Sequence, residues 1–428
     1  TFPYQGITTT HAEDRFITGS AAAGTAMASG LKTKIGVVGM DPALKPVKTL
    51  AEMAKENGMK VGIVSSVSID HATPASFYAH VPKRGQYYDI DVALAESGFD
   101  YFGGGTIKDP DNERGNATQF KGNAWELIRK NGYKVVRNRA DFEKLSKSDG
   151  KVLATNEWIQ NSGALPYQMD TSGKDISLTE FTQKGIELLD GENGFFMMVE
   201  GGKIDWACHA NDATAAIKDT IEFNSAVQKA YDFYSRHPDE TLIVVTGDHE
   251  CGGMTLGFAG TKYQTYFDVL KGQKISFRQF TDEIITAFQE KDVTPSFEDM
   301  KPHITDYFGL KFKGEAGDSM VLANHEITRI IEAYQRSMNK DVEKSNDPRT
   351  YVMYGGYDPL SVTLTHILNQ KGGIAWTSYK HTGVPVTTSA VGLNADTFQG
   401  MYDNTDIALK IMDIMGLGTT AKYAATAQ

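Results

Sequence analysis

Three short, continuous apolar runs punctuate the chain: Lys60–Ser66 (KVGIVSS), Phe195–Val199 (FFMMV) and Thr241–Thr246 (TLIVVT). Each is too short for a stable helix, is rich in β-branched or aromatic residues, and shows no apolar–polar alternation. Each therefore predicts a strand buried on both faces. Between the runs the pattern changes to a helical period. Thr49–Asn57 sets Leu50, Met53 and Ala54 on one face, and Thr214–Tyr234 places Ile217, Ile221, Val227, Tyr231 and Tyr234 at helical spacing. Val384–Ala390 again reads as a strand. Strand–helix–strand alternation predicts an α/β protein, a three-layer α/β/α sandwich with a mostly parallel central sheet. In such sheets, binding and catalysis gather beyond the carboxyl ends of the strands.

The alternation lapses over Gln264–Pro348. Amphipathic helical stretches (Phe277–Glu290, Asn324–Met338) dominate there, charges are many and strand signals few. This predicts one domain formed by residues 1–262 and 349–428, with 263–348 as a mostly helical insertion. Asp109–Gln119 (DPDNERGNATQ) reads as a polar loop. Composition narrows the function. The 43 Lys and Arg against 54 Asp and Glu leave a net charge of −11, the wrong sign for holding a phosphate backbone, so nucleic acid is not expected as a stable partner. The two cysteines, Cys208 and Cys251, rule out a disulfide framework. No apolar run approaches the roughly 20 residues of a membrane span.

Candidate chemistry sits just past the strand runs. After FFMMV comes Glu200-Gly201-Gly202-Lys203-Ile204-Asp205-Trp206-Ala207-Cys208-His209. Asp205 and His209, four apart on a helix, share one face and can share a zinc ion; Glu200 at the strand end can hold a second, harder cation. The same pair also fits a helix-capping Asp and a surface His. After TLIVVT come Asp248 and His249, adjacent ionisable residues that are costly at the end of a buried strand unless something pairs with them. Ser20 opens a helix of very small residues (SAAAGTAMASG), either as an N-cap or as a hydroxyl placed where negative charge is favoured. Past KVGIVSS lie His71 and Thr73, with Arg84 beyond. A Thr hydroxyl can ligate a hard cation and an Arg can clamp phosphate, although a polar loop would carry the same residues. His381 precedes the last strand run. Carboxylates, histidines and a hydroxyl at the ends of strands that can share one sheet suit a metal-activated phosphoryl or sulfuryl hydrolase.

Five segments, in order, resemble the alkaline phosphatase family: ITGSAAAGTAMASGLKTKIGVVGMD, HATPASFYAHVPKR, VEGGKIDWACH, VVTGDHECGG and HTGVPV. The resemblance implies hydrolysis of phosphate monoesters with two Zn2+ and one Mg2+. It makes Ser20 the nucleophile, and Arg84 the clamp on two phosphate oxygens. Asp205, His209 and His381 would hold the first zinc, and Asp248 and His249 the second. Glu200 and Thr73 would hold magnesium, with His71 and Trp206 beside the metals. It also implies a crown- or flap-like role for the insertion, a homodimer, and a periplasmic or extracellular location. Cys208 and Cys251 fall in no family ligand position, so packing is their expected role; Cys208, three residues from Asp205, would reach zinc only in a distorted site.

Some positions depart from the family pattern. Gly19 stands where many members carry an Asp that orients the Arg, which predicts a looser Arg84. His71 and Trp206 occupy positions that vary between members. No Gly-Asp-Gly-Met-like turn, whose Asp bridges two metals, precedes Phe2, and the chain starts at Thr1 without Met. A trimmed chain is expected, lacking a strand–helix piece of roughly 30 residues or more, with one sheet edge left unpaired. Two rival readings stand beside the monoesterase: a phosphodiesterase or sulfatase of the same superfamily, and a non-catalytic phosphate- or metal-binding relative. The remaining histidines (His11, His80, His237, His303, His325, His366) match no ligand position and are expected to be structural or exposed.

Overall fold

The computed structural model describes residues 2–293, 295–315, 317–339 and 347–418. Its strands are β1 (Tyr4–Thr9), β2 (Lys60–Ser65), β3 (Tyr101–Gly104), β4 (Tyr133–Val136), β5 (Lys151–Thr155), β6 (Phe195–Glu200), β7 (Leu242–Val245), β8 (Glu250–Cys251), β9 (Thr255–Leu256), β10 (Ile374–Ala375), β11 (His381–Thr382), β12 (Val386–Gly392) and β13 (Gly400–Asp403). Five of them form an all-parallel sheet in the order β4-β5-β3-β2-β6. Four more form a mixed sheet, β13-β1-β12-β7, in which β12 runs antiparallel to both β1 and β7. Two small pairs, β8 with β11 and β9 with β10, complete the set.

The continuous apolar runs are explained by what covers them. Along β2 and β6, Val61, Ile63, Phe196 and Met198 face one core, which also holds Leu50, Met53 and Ala54 of the helix Leu50–Glu56 and Met412 of the helix Asn404–Ile414. Val64, Phe195, Met197 and Val199 face the opposite core, shared with Phe181 and Leu189 of the helix Leu178–Leu189 and Ala226 of the helix Ala213–Tyr234. Period-two side-chain alternation thus feeds two apolar faces, and the sandwich has a helical layer on each side. The flanking helices start where sequence chemistry says they should. Thr49 with Glu52, and Ser177 with Glu180, form reciprocal capping boxes.

β6 and β7 differ from the other central strands. β6 pairs with β2 and β7 with β12; among the described residues neither has a partner along its other edge, and every side chain in both is only partly buried. The helices between β9 and β10 share one core. The helices Phe297–Phe308 and Asn324–Asn339 meet over Met300, Ile304, Phe308 and Ile330. Leu360, Leu364, Ile367 and Leu368 of the helix Pro359–Gly372 join the same core. The helical stretch expected over Phe277–Glu290 is present, with a π-helical turn over Phe280–Ile285 between two α-helical ends. Asp109–Gln119 contains neither helix nor strand.

Candidate active site

Ser20 is the first residue of the helix Ser20–Ser29; the cap position belongs to extended Gly19, φ −129°. The N-cap alternative for Ser20 therefore does not hold. Its hydroxyl points instead to His249, with Oγ 3.3 Å from Nε2. The helix is nearly wholly buried, and its small side chains are what permit this. At Gly24 a Cβ would lie 2.9 Å from Ser76 Oγ, so the helix rests almost backbone-to-side-chain on the segment that carries Thr73.

Asp248 and His249 leave the end of β7. His249 Nε2 lies 3.1 Å from Asp248 Oδ2 and 3.3 Å from Ser20 Oγ. Burial disfavours an imidazolium at His249, but the charge and hydrogen bond of Asp248, with the Asp205 charge, together outweigh it and raise the pKa to about 9. Beside this group lies a second one. His209 Nε2 and His381 Nε2 are 3.1 Å apart, and each is close to Asp205 Oδ1, at 3.5 and 3.4 Å. The two imidazole planes of His249 and His381 stack with centroids 3.5 Å apart, so the groups share a wall.

Two backbone carbonyls set the tautomers. His209 Nδ1 is 2.6 Å from Tyr379 O, and His381 Nδ1 is 2.8 Å from Thr18 O. Each Nδ1 therefore carries the proton and donates it, leaving Nε2 with a free lone pair aimed at the neighbouring Nε2 and carboxylate. Lone pairs converging on one point, beside a buried Oδ1 with no donor, repel unless a cation sits among them. Ligands about 2.0–2.1 Å from a tetrahedral zinc ion lie roughly 3.4 Å apart, and the three observed separations span 3.1–3.5 Å. These residues fit zinc. A fourth donor joins them: the Sγ of Cys251 and the Asp205, His209 and His381 atoms all lie within 4.8 Å of one another.

Glu200, at the end of β6, hydrogen-bonds the Ser65 hydroxyl at the end of the adjacent β2. Burial pushes its carboxyl up to about 7; the Ser65 bond opposes this, whereas the Asp248 and Asp205 charges add to it. The Thr73 hydroxyl faces Glu200, and its Oγ1 is otherwise buried without a hydrogen-bond partner. A carboxylate and a hydroxyl form an all-oxygen donor set of the kind a hard cation takes. Arg84 donates from Nη2 to His71 Nε2 at 2.8 Å, and His71 meets Trp206 edge-on at 5.6 Å. At Gly19 a Cβ would lie 3.2 Å from Ile35 Cγ1, so a side chain there would have to displace Ile35. The looser Arg84 expected from Gly19 is thus met by a different anchor, the imidazole of His71. The residues singled out from the sequence fall into three contacting groups: Ser20, Asp248, His249, Asp205, His209 and His381; Glu200 with Thr73; and Arg84 with His71 and Trp206.

Other participants were not legible as such. Thr18 and Tyr379 act through carbonyls, which leave no mark in side-chain chemistry. Ser65 lies in the polar end of the KVGIVSS run, a signal that was available. Glu250 Oε1 accepts from Gly253 N at 2.9 Å, and its other oxygen accepts from Thr382, tying the turn after β8 to its partner β11. Of the two cysteines it is Cys251, not Cys208, that reaches the donor set. Cys208 is half-buried, and desolvation raises its thiol to about 12. The remaining histidines have partners elsewhere: His80 with Glu52, His366 with Asn211, His237 with Glu240, His11 with Asp403 and His303 against Phe288.

Comparison with known proteins bears on this arrangement. A family model described as "Alkaline phosphatase" matches residues 1–417. The chain belongs to the alkaline phosphatase family. It is 31% identical to alkaline phosphatase 3 of Bacillus subtilis, over 95% of this chain and 79% of that protein. It is 26% identical to the repressible alkaline phosphatase of Saccharomyces cerevisiae, over 94% of this chain and 72% of that one. Among solved structures, a cold-active alkaline phosphatase from a psychrophilic Shewanella superposes with a TM-score of 0.77 at 28% identity, covering 96% of this chain and 89% of that one. The Thermus thermophilus alkaline phosphatase does so at 0.77 and 25%, covering 97% and 83%. The family and fold together make this phosphatase an enzyme of phosphate monoester hydrolysis. No helix among the described residues is long and apolar enough to cross a membrane.

Proposed function

We propose that this alkaline phosphatase works through a phosphoserine on Ser20. The observation that carries the reading is the position of Ser20 Oγ at a helix N-terminus, 3.3 Å from His249 Nε2 and beside two converging donor sets. Asp205, His209 and His381 would hold one zinc, Asp248 and His249 a second next to Ser20, and Glu200 with Thr73 a magnesium. Bound there, such ions would supply an activated oxygen nucleophile at neutral pH and neutralise charge on the entering and leaving oxygens.

The chain's own groups do the rest. Arg84, anchored on His71, presents its guanidinium to two phosphate oxygens. The N-terminal N–H groups of the Ser20–Ser29 helix face the same negative charge. Ser20 Oγ forms a bond to phosphorus as the ester P–O bond breaks and the alcohol departs. Water then displaces Ser20, restoring its hydroxyl and releasing inorganic phosphate. The site, with its family, also supports a periplasmic or extracellular setting, where phosphate esters are scavenged.

The test is an acid quench during turnover of a labelled monoester. Label is expected on Ser20 in the native enzyme and absent from Ser20→Ala. A phosphopeptide containing any other residue would overturn the assignment.

A further inference from the structure

We infer that Cys251 is a ligand of the metal held by Asp205, His209 and His381, giving this phosphatase a sulfur-containing metal site. The inference rests on the metal reading above and adds a donor to it. Four features of the structure carry it.

The first is proximity: Cys251 Sγ lies within 4.8 Å of each of the other three donor atoms, and Asp205 Oδ1 has no hydrogen-bond donor. The second is how the sulfur is placed. β8 and β11 pair antiparallel with Cys251 directly opposite His381, and residues directly opposite in such a pair project to the same face. The sulfur thus sits beside the His381 ring through sheet register rather than a mobile loop. Gly252 and Gly253 follow with φ of +84° and +61°, a left-handed turn that ends the strand immediately after Cys251. The third is that the strand pair is braced: Gly252 N donates to Lys380 O at 2.9 Å, and Glu250 ties Gly253 to Thr382. The fourth is what the sulfur does without an ion. Its contact is a long 3.5 Å approach to the Asp205 carbonyl oxygen, a weak bond for a thiol.

Thiolate, imidazole and carboxylate together form a set that zinc accepts. Coordination breaks the Sγ–H bond, releases the proton to solvent and forms a metal–sulfur bond with no change in oxidation state. A thiolate adds a negative charge beside Asp205 and a soft donor to the imidazoles and carboxylate.

Cobalt substitution reads this directly. The chelator-stripped protein, reloaded with Co2+ alone, is expected to show a near-ultraviolet sulfur-to-cobalt charge-transfer band beside its visible d–d bands. Cys251→Ala should lose the ultraviolet band and keep the visible ones; Cys208→Ala should keep both. The chain has two cysteines, so if Cys251→Ala fails to fold, a band that survives Cys208→Ala still assigns the sulfur to Cys251. Visible bands without the ultraviolet one in the native protein, or an ultraviolet band that survives Cys251→Ala, would overturn the inference and leave the phosphatase reading intact. Failure of cobalt to bind at all would overturn the metal reading and this inference with it.

Discussion

Replacing His71 by Ala isolates the anchoring of Arg84. Nη2 donates to His71 Nε2 over 2.8 Å, and this is a bond from a charged donor to a neutral acceptor. Burial, then the positive charge of Arg84, holds His71 well below the ordinary histidine value, so the ring stays neutral and keeps its acceptor lone pair. Hydrogen bonds to charged groups contribute about 1.5–3 kcal/mol. If that contribution is spent on holding the guanidinium in its phosphate-binding pose, its loss weakens phosphate binding by roughly 10- to 150-fold at about 1.4 kcal/mol per factor of ten. The assay is competitive inhibition by inorganic phosphate, measured beside KM and kcat for a chromogenic monoester. His71→Ala is expected to raise the inhibition constant and KM, with metal content by elemental analysis unchanged. His71→Asn, which restores an acceptor near the same place, should recover most of the loss. An unchanged phosphate inhibition constant in a fully metallated His71→Ala enzyme would refute the reasoning. So would a His71→Asn variant as impaired as Ala.

Asp205→Asn removes the one anionic member from the His209–His381 group; titration calorimetry should show zinc affinity falling by more than the about 10–100-fold cost of losing an outer-shell partner. Unchanged affinity would mean that the three atoms do not act as one ligand set. Gly104→Ala forces a side chain where φ is +132° and a Cβ would fall 1.8 Å from Ser65 O; denaturant unfolding should show a loss of about 3 kcal/mol or more, with Glu200 displaced through Ser65. The His80–Glu52 pair makes stability depend on pH. Burial acts against both charges, but the hydrogen bond between the partners, their opposite charges and the bonds from Gly39 and Thr49 together prevail, so the pKa of His80 is raised and that of Glu52 lowered. The histidine's contribution is complete below its unfolded value of 6.5 and is lost as pH rises through its raised folded value. The glutamate's is complete above its unfolded value of 4.5 and is lost as pH falls through its lowered folded value. Glu52→Gln should therefore destabilise most between pH 4.5 and 6.5 and less as the pH rises through the raised value of His80. A constant difference across that range would show that the pair does not titrate as argued.

Local order was readable along the chain because it is written at short range. KVGIVSS is unbroken because β2 buries both faces, and FFMMV because both faces of β6 meet apolar cores even though its side chains are only partly buried. Thr49 with Glu52 marks a helix start because two orphan backbone N–H groups need acceptors there. Asp205 and His209 face one way because a helix turn brings positions four apart into line. The small residues after Ser20 foretold a tightly packed helix, and the five segments were enough to suggest the family.

What tertiary structure decided is the company each residue keeps. His381 meets His209 from 172 residues away, and no local pattern encodes that approach. Which ring nitrogen is free depends on the carbonyls of Thr18 and Tyr379, set by where two loops pass. Arg84 could have leaned on any acceptor; the fold brings it to His71 Nε2, on a ring that also meets Trp206 edge-on. Cys251 had no distinguishing mark in the sequence and was read as packing. One residue of slip between β8 and β11 would turn its sulfur to the other face, away from His381. Periodicity and capping are properties of neighbouring residues and survive in the bare sequence, whereas a metal-ready donor set is a coincidence of registers and loop paths that exists only once the chain has closed on itself.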